Sequence, residues 1–203
     1  MDAVEFKQND PSSNCVTSPK LIQNSACGNS SPRMTSPAGR RPPIDCGDLE
    51  IRIARDGTWH YRGSPIGRLP LVKLFASVLR RGTDGRYWLI TPAERGRVEV
   101  EDVPFLAVAL MVEGEARDQQ LMFRTNLDEF VTAGPDTPLR IETAANGEPA
   151  PYILVRDGLE ARLVRPVFYE LVELATEQQA GRRTQFGVWS RGTFFSIGEA
   201  AAD

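Results

Sequence analysis

Three groups of residues in this 203-residue chain have types and spacings that could do chemistry. In the first, Arg124 and Asn126 lie two apart, and Arg156 and Arg162 follow, each within or at the end of a segment that reads as strand. A guanidinium is a planar fork of donors that matches a carboxylate or phosphate through two bonds. Two of these arginines converging with Asn126 would hold a small anion. Tyr169 sits about 100° round a helix from core-facing Phe168, so it could wall the same groove with Trp189. The competing reading pairs Arg162 with Glu160 or Glu170, leaves Arg156 exposed and makes both aromatics ordinary packing.

The second group crowds carboxylates at Glu99, Glu101 and Asp102. Side chains alternate along a strand, so Glu99 and Glu101 project together and could hold Mg²⁺ or share a proton. Arg95 and Arg97 stand beside them, which favours a solvated strand face. The third group is the single histidine, His60, between Trp59 and Tyr61. With one histidine and no cysteine in the expected core, nucleophile-and-base arrangements have nothing to build on, and His60 reads as structural. There is no GxSxG elbow, Walker A loop or GxGxxG loop. No catalytic, metal-binding or cofactor-binding residue is assigned.

Two stretches organise the elements that would position these groups. Gly67-Arg68-Leu69, an amphipathic run through Leu79 and Gly85-Arg86-Tyr87-Trp88-Leu89-Ile90 have a worn copy later on: Ala161-Arg162-Leu163, a run through Ala175, then Gly192-Thr193-Phe194-Phe195-Ser196-Ile197. In the first, Leu71, Leu74, Phe75, Val78 and Leu79 form one helical face behind Pro70, and Arg80, Arg81 and Gly82 close the helix. In the second, Val167, Phe168, Leu171, Val172 and Ala175 follow Pro166, ending before Gly181. Hairpins precede both helices: Leu49, Ile51 and Ile53 alternate up to the Asp56-Gly57 turn, and Asp157-Gly158 joins Tyr152–Arg156 to Glu160–Val164. Between the halves, Arg97–Glu101, Phe105–Glu113 and Gln120–Thr125 read as an antiparallel meander, the middle strand buried on both faces.

The expected fold class is α+β, mostly antiparallel β with two helices, in two similar hairpin-helix-strand modules. Residues 44–115 form the first β-rich module and 116–203 a second packed on it. Residues 1–43, rich in Ser, Asn and Pro without apolar periodicity, read as a disordered tail. A net charge of -3 argues against a nucleic-acid partner. No apolar run approaches the roughly 20 residues of a membrane span. Cys15, Cys27 and Cys46 match neither a zinc nor a disulfide pattern, and with no secretory signal this points to the cytoplasm.

Asp45-Cys46-Gly47-Asp48, Asp56-Gly57-Thr58-Trp59, Gly63-Ser64-Pro65-Ile66, Leu74–Leu79, Asp102-Val103-Pro104-Phe105, Thr125-Asn126 and Val188-Trp189-Ser190 together resemble the proteobacterial family known as domain of unknown function twelve eighty-five. The resemblance covers about Asp45 to Gly198. It implies an α+β fold with repeated motifs in two similar modules and a part in signal transduction, and it brings no catalytic residues.

The resulting expectation is a non-enzymatic, cytoplasmic module with a regulatory part that binds a small anionic ligand or a protein partner between the two units. The alternative is an enzyme using Glu101 and Asp102 with a divalent ion.

Overall fold

A computed structural model describes residues 42–143, 147–180 and 183–199, all within the compact unit Arg41–Asp203. The expected tail lies outside the described residues apart from Pro42 and Pro43. The first six-stranded sheet contains β1 (Ile44–Ile53), β2 (Trp59–Tyr61), β3 (Ser64–Pro65), β4 (Leu79–Arg81), β5 (Tyr87–Ile90) and β6 (Glu94–Val100), with helix α1 (Leu69–Ser77) between β3 and β4. The second contains β7 (Phe105–Glu113), β8 (Gln120–Thr125), β9 (Phe130–Thr132), β10 (Leu139–Thr143), β11 (Pro149–Arg156) and β12 (Leu159–Leu163). Helix α2 (Arg165–Glu173) then leads to a three-stranded sheet of β13 (Thr176–Ala180), β14 (Arg183–Ser190) and β15 (Thr193–Glu199).

Both six-stranded sheets have one plan. The first runs β3-β2-β1-β6-β5-β4 and the second, read from its other edge, β9-β8-β7-β12-β11-β10. Each is two antiparallel three-stranded meanders joined through a single parallel pair, β1 with β6 and β7 with β12. The fold is α+β with two helices among the described residues, and hairpin, helix and strand follow one another twice. This sheet repeat starts at β7, earlier than the similarity of letters around Arg162 suggests. After α1 the chain returns to its own sheet through β6, whereas after α2 it builds a separate one. The two large sheets divide between Val100 and Phe105, and β7 and β8 share a ladder that a boundary near residue 115 would cut.

Both helices are shorter than their apolar runs. The expectation that α1 runs through Leu79 to a Gly82 stop is corrected: Leu79 is the fully buried first residue of β4, facing Leu89. Burial in the sheet outweighs the weak helical preference of one more turn. The face of α1 also differs, since Val72 and Ala76 are buried while Leu74 is 61% exposed. Likewise α2 stops at Glu173, burying Val167 and Leu171 and leaving Val172 exposed, because Thr176 already pairs with Gly187. β7 is buried at Phe105 and Ala107, but Met111 and Val112 are exposed, so it is not covered throughout.

One continuous apolar cluster joins these parts, from Ile51, Ile53 and Trp59 through Phe105, Phe123 and Ile153 to Leu171 and Val188. Trp59 and Phe75 stack at 6.4 Å, fastening α1 to the inner face of the first sheet. Gly187 sits where a Cβ would overlap the Phe195 carbonyl oxygen and the Phe194 ring. Backbone cannot swing aside as a side chain can, so Gly187→Ala should destabilise the protein by about 3 kcal/mol in urea unfolding, at the upper end for overpacking. Wild-type stability in that variant would show that the strand separates easily.

Candidate functional site

The six residues expected to bind a ligand lie in different places. Arg124 projects from β8 and donates to Asp128 at 3.1 Å, and Lys73 of α1 reaches the same carboxylate at 2.7 Å. These cations, Lys73 before Arg124, hold the Asp128 carboxyl below its ordinary range. Asn126 joins strand ends: its N–H donates to the Leu106 carbonyl at 2.8 Å and its Oδ1 accepts from the Leu106 N–H at 3.1 Å. Arg156 is not an exposed side chain but a clamp. It grips Glu129 through two bonds of 3.1 Å, donates to the Ala76 carbonyl at the end of α1 at 2.9 Å, and lies over the Phe105 ring. Tyr169 is exposed on α2 beside Phe168 and Arg165. Trp189 lies under Arg117 and against Phe194, and its carbonyl accepts from Gln119 at 2.8 Å.

Arg162 is the member that reaches the seam between the two large sheets. Its partner is neither Glu160 nor Glu170 but Asp102, at 3.1 Å. Asp102 also accepts from the Tyr152 hydroxyl at 3.0 Å and has Arg55 Nε at 3.5 Å. Nearby, Glu160 takes a two-pronged bond from Arg140 at 2.7 and 2.9 Å and has Arg81 at 3.6 Å. Arg140 bonds Glu142 as well and covers the Tyr152 ring. Burial, then the Asp102 hydrogen bond, pushes the Tyr152 phenol up; burial does the same for Tyr87, which senses Arg81, Glu160 and Asp102 across the seam. The seam is thus a filled ion-pair network whose members satisfy one another.

Glu101 accepts from the Arg55 N–H at 2.8 Å and pairs with Arg52 at 2.9 Å. Glu101 and Asp102 are thus each engaged by arginines, and Asn126 is committed to Leu106, so the divalent-ion arrangement gains no support. Among the described residues no group of three or more His, Cys, Asp or Glu side chains could hold a metal ion.

Open space lies elsewhere, on the solvent face of the first sheet. Two adjoining cavities of about 340 and 300 Å³ share Asp48 and Glu99. The first is lined also by Gly85, Arg86, Tyr87 and Arg97, the second by Glu50, Arg52, His60 and Arg62. Strand register makes this face: Arg52 of β1 stands between His60 of β2 and Glu99 of β6, and Arg97 between Asp48 and Trp88. His60, read as structural, lines the groove, and its Nδ1 is buried with no hydrogen-bond partner.

β1 is irregular where it borders this groove. Asp45 Oδ1 accepts from the Gly47 N–H at 2.9 Å and Asp48 Oδ1 from the Glu50 N–H at 2.8 Å, while the second oxygens take Arg95 and Arg97, each at 2.7 Å. Register shifts follow both aspartates, and Glu50 is left-handed at φ 55°. Bulges of this kind re-aim side chains next to sites. Both carboxyls are held below the ordinary range, Asp45 by the Gly47 N–H and then Arg95, Asp48 by Arg97 and then the Glu50 N–H. A lowered folded-state value means the contribution is complete above the unfolded carboxyl pKa of about 3.9 and is lost as pH falls through the folded value. The melting temperature should therefore decline below about pH 4. Asp48→Asn should flatten that decline, and an unchanged slope would show that the aspartates carry no part of it.

Comparison with known proteins follows the same division as the sheets. The N-terminal domain of unknown function DUF1285 matches residues 36–103, and the C-terminal domain of the DUF1285 protein of unknown function matches residues 104–197. The chain belongs to the DUF1285 family. A crystal structure of a DUF1285 family protein from Silicibacter pomeroyi DSS-3 is similar at 42% identity and TM-score 0.73, over 83% of this chain and 92% of that one. A second, from Shewanella baltica OS155, is similar at 28% identity and TM-score 0.50, over 62% of this chain and 91% of that one. No curated protein matches the chain. The junction of the two DUF1285 domains at residues 103 and 104 follows Asp102, the carboxylate that ties the sheets together.

In this DUF1285 chain, Arg162 was expected to face a ligand, and its partner Asp102 was not foreseen. Arg86, Asp48 and His60 at the groove were missed as a set. Alternation of Arg95, Arg97 and Glu99 along β6 was the available signal, since it makes one strand face wholly charged.

Proposed function

We propose that this DUF1285 chain is a non-enzymatic binding module with a regulatory part in signal transduction, acting in the cytoplasm, and that a small ligand with an anionic group occupies the groove on the open face of the first sheet. The adjoining cavities over β1, β5 and β6 are the observation that carries this reading. Arg86 is the natural anion partner: its nearest carboxylate, Asp84, is 3.8 Å away, and its side chain is mostly exposed. The exposed free thiol of Cys46 suits a reducing compartment. No helix among the described residues is long and apolar enough to cross a membrane.

Titration with inorganic phosphate, citrate and acetate, followed by melting temperature and by amide shifts, tests the proposal. A ligand at 100 times its Kd stabilises the folded state by about 2.7 kcal/mol. At least one probe should raise the melting temperature and shift amides of Gly85, Arg86 and Glu99, and Arg86→Ala should abolish the effect. Silence from every probe at about 10 mM, near the weakest useful range, overturns it.

A further inference from the structure

We infer that the ligand of this groove is a small zwitterion carrying an amine as well as its carboxylate. The inference rests on the binding reading above and adds the half of the ligand that Arg86 cannot recognise.

Most charged side chains around the groove are consumed by one another. Arg97 donates to Asp48 at 2.7 Å, Arg62 to Glu50 at 2.6 Å, and Arg52 pairs with Glu101 at 2.9 Å. Glu99 is different. It lines both cavities and makes no ion pair within 4.0 Å among the described residues. It shares the first cavity with Arg86, which directly precedes Tyr87, the residue that faces Val98 across β5 and β6. Arg86 leans toward Asp84, and Glu99, with Arg52 beside it in the ladder and Arg97 acting on it through space, closes no ion pair with either, while Arg86 and Glu99 both line the cavity of about 340 Å³.

An unspent carboxylate and a weakly engaged guanidinium at one cavity are complementary to an ammonium and a carboxylate on one molecule. Charge-assisted bonds of both signs suit a free α-amino acid, whose two charged groups are attached to one carbon. An anion alone would satisfy Arg86 and bring a second negative charge beside Glu99, which costs affinity. The occupied site would leave both groups neutralised, with the Asp48–Arg97 pair as its floor.

A panel of free α-amino acids, their N-acetyl forms and their amides tests this by calorimetry and amide shifts on the full chain. At least one free amino acid should bind, with its N-acetyl form and its amide each about tenfold weaker or more, the scale of one lost charge-assisted bond. Glu99→Gln should erase the preference for the free amine, and Arg86→Ala the preference for the free carboxylate. Both variants should keep the wild-type unfolding midpoint, which separates lost binding from lost folding. If N-acetyl forms or simple anions bind as tightly as the free amino acids, the amine requirement falls while the anion site stands. If neither amino acids nor phosphate, citrate and acetate perturb the groove, both readings fall together.

Discussion

Asp102→Ala is expected to lower stability by about 2–4 kcal/mol in urea unfolding, and Asp102→Asn by roughly half as much. The carboxylate side chain is only 14% exposed and lies in the crossover from β6 to β7, where it serves both sheets. Its removal strands the Arg162 guanidinium and the Tyr152 hydroxyl in a partly buried seam and frees Arg55 of the β1–β2 turn. Breaking one side of a partly buried pair costs more than the pair is worth, because the remaining charge has too little water around it to replace its partner. Replacing Asp102 and Arg162 together by leucine should therefore recover part of the loss, read as coupling in a double-mutant cycle. The Tyr152 phenol should also ionise at lower pH in Asp102→Ala, since one of the causes raising it is gone. A loss below about 1 kcal/mol, the range of surface pairs, would mean that the seam is effectively solvated.

Ser190→Ala should cost a similar 2–4 kcal/mol, since it strands two buried backbone groups at about 1–3 kcal/mol each. Ser190 Oγ accepts from the Leu121 N–H at 3.0 Å and donates to the Ala133 carbonyl at 2.8 Å, in a position without solvent exposure. It thereby fastens β14 to the second sheet, aided by Gln119, which donates to the Trp189 carbonyl and accepts from the Arg191 N–H at 2.9 Å. The distinctive result is regional. Hydrogen exchange should accelerate first in β13, β14 and β15, which form a separate ladder and can open as a unit. Uniform acceleration across all three sheets would count against a detachable third sheet.

Local pattern made much of this legible. Alternation located Ile51 and Ile53 on the inner face of β1, Asp157-Gly158 turned where a hairpin was expected, and prolines at 70 and 166 opened the helices. Helix ends were not legible, because Leu79 and Thr176 are claimed by strand partners at Leu89 and Gly187, beyond the next turn, and apolar periodicity says nothing about which partner claims a residue. The arginines show the same limit. A guanidinium looks alike in any sequence, and only proximity decides that Arg156 clamps Glu129 and the end of α1 while Arg86 is left beside open space.

The sequence by itself determined the two helices and the hairpins before them, the α+β class, the recurrence of hairpin, helix and strand, and the family, because all of these follow from spacings within a few residues or from the order of letters. Only the tertiary structure decided that six strands are ordered alike in two sheets, that the seam between them is filled by Asp102, Glu160 and their arginines, and that open, unspent charge lies instead at Arg86 and Glu99. The physical reason is one of range. Backbone preference and periodicity act between neighbours, whereas ion pairing depends on which strands meet, and that choice is made by the shared core.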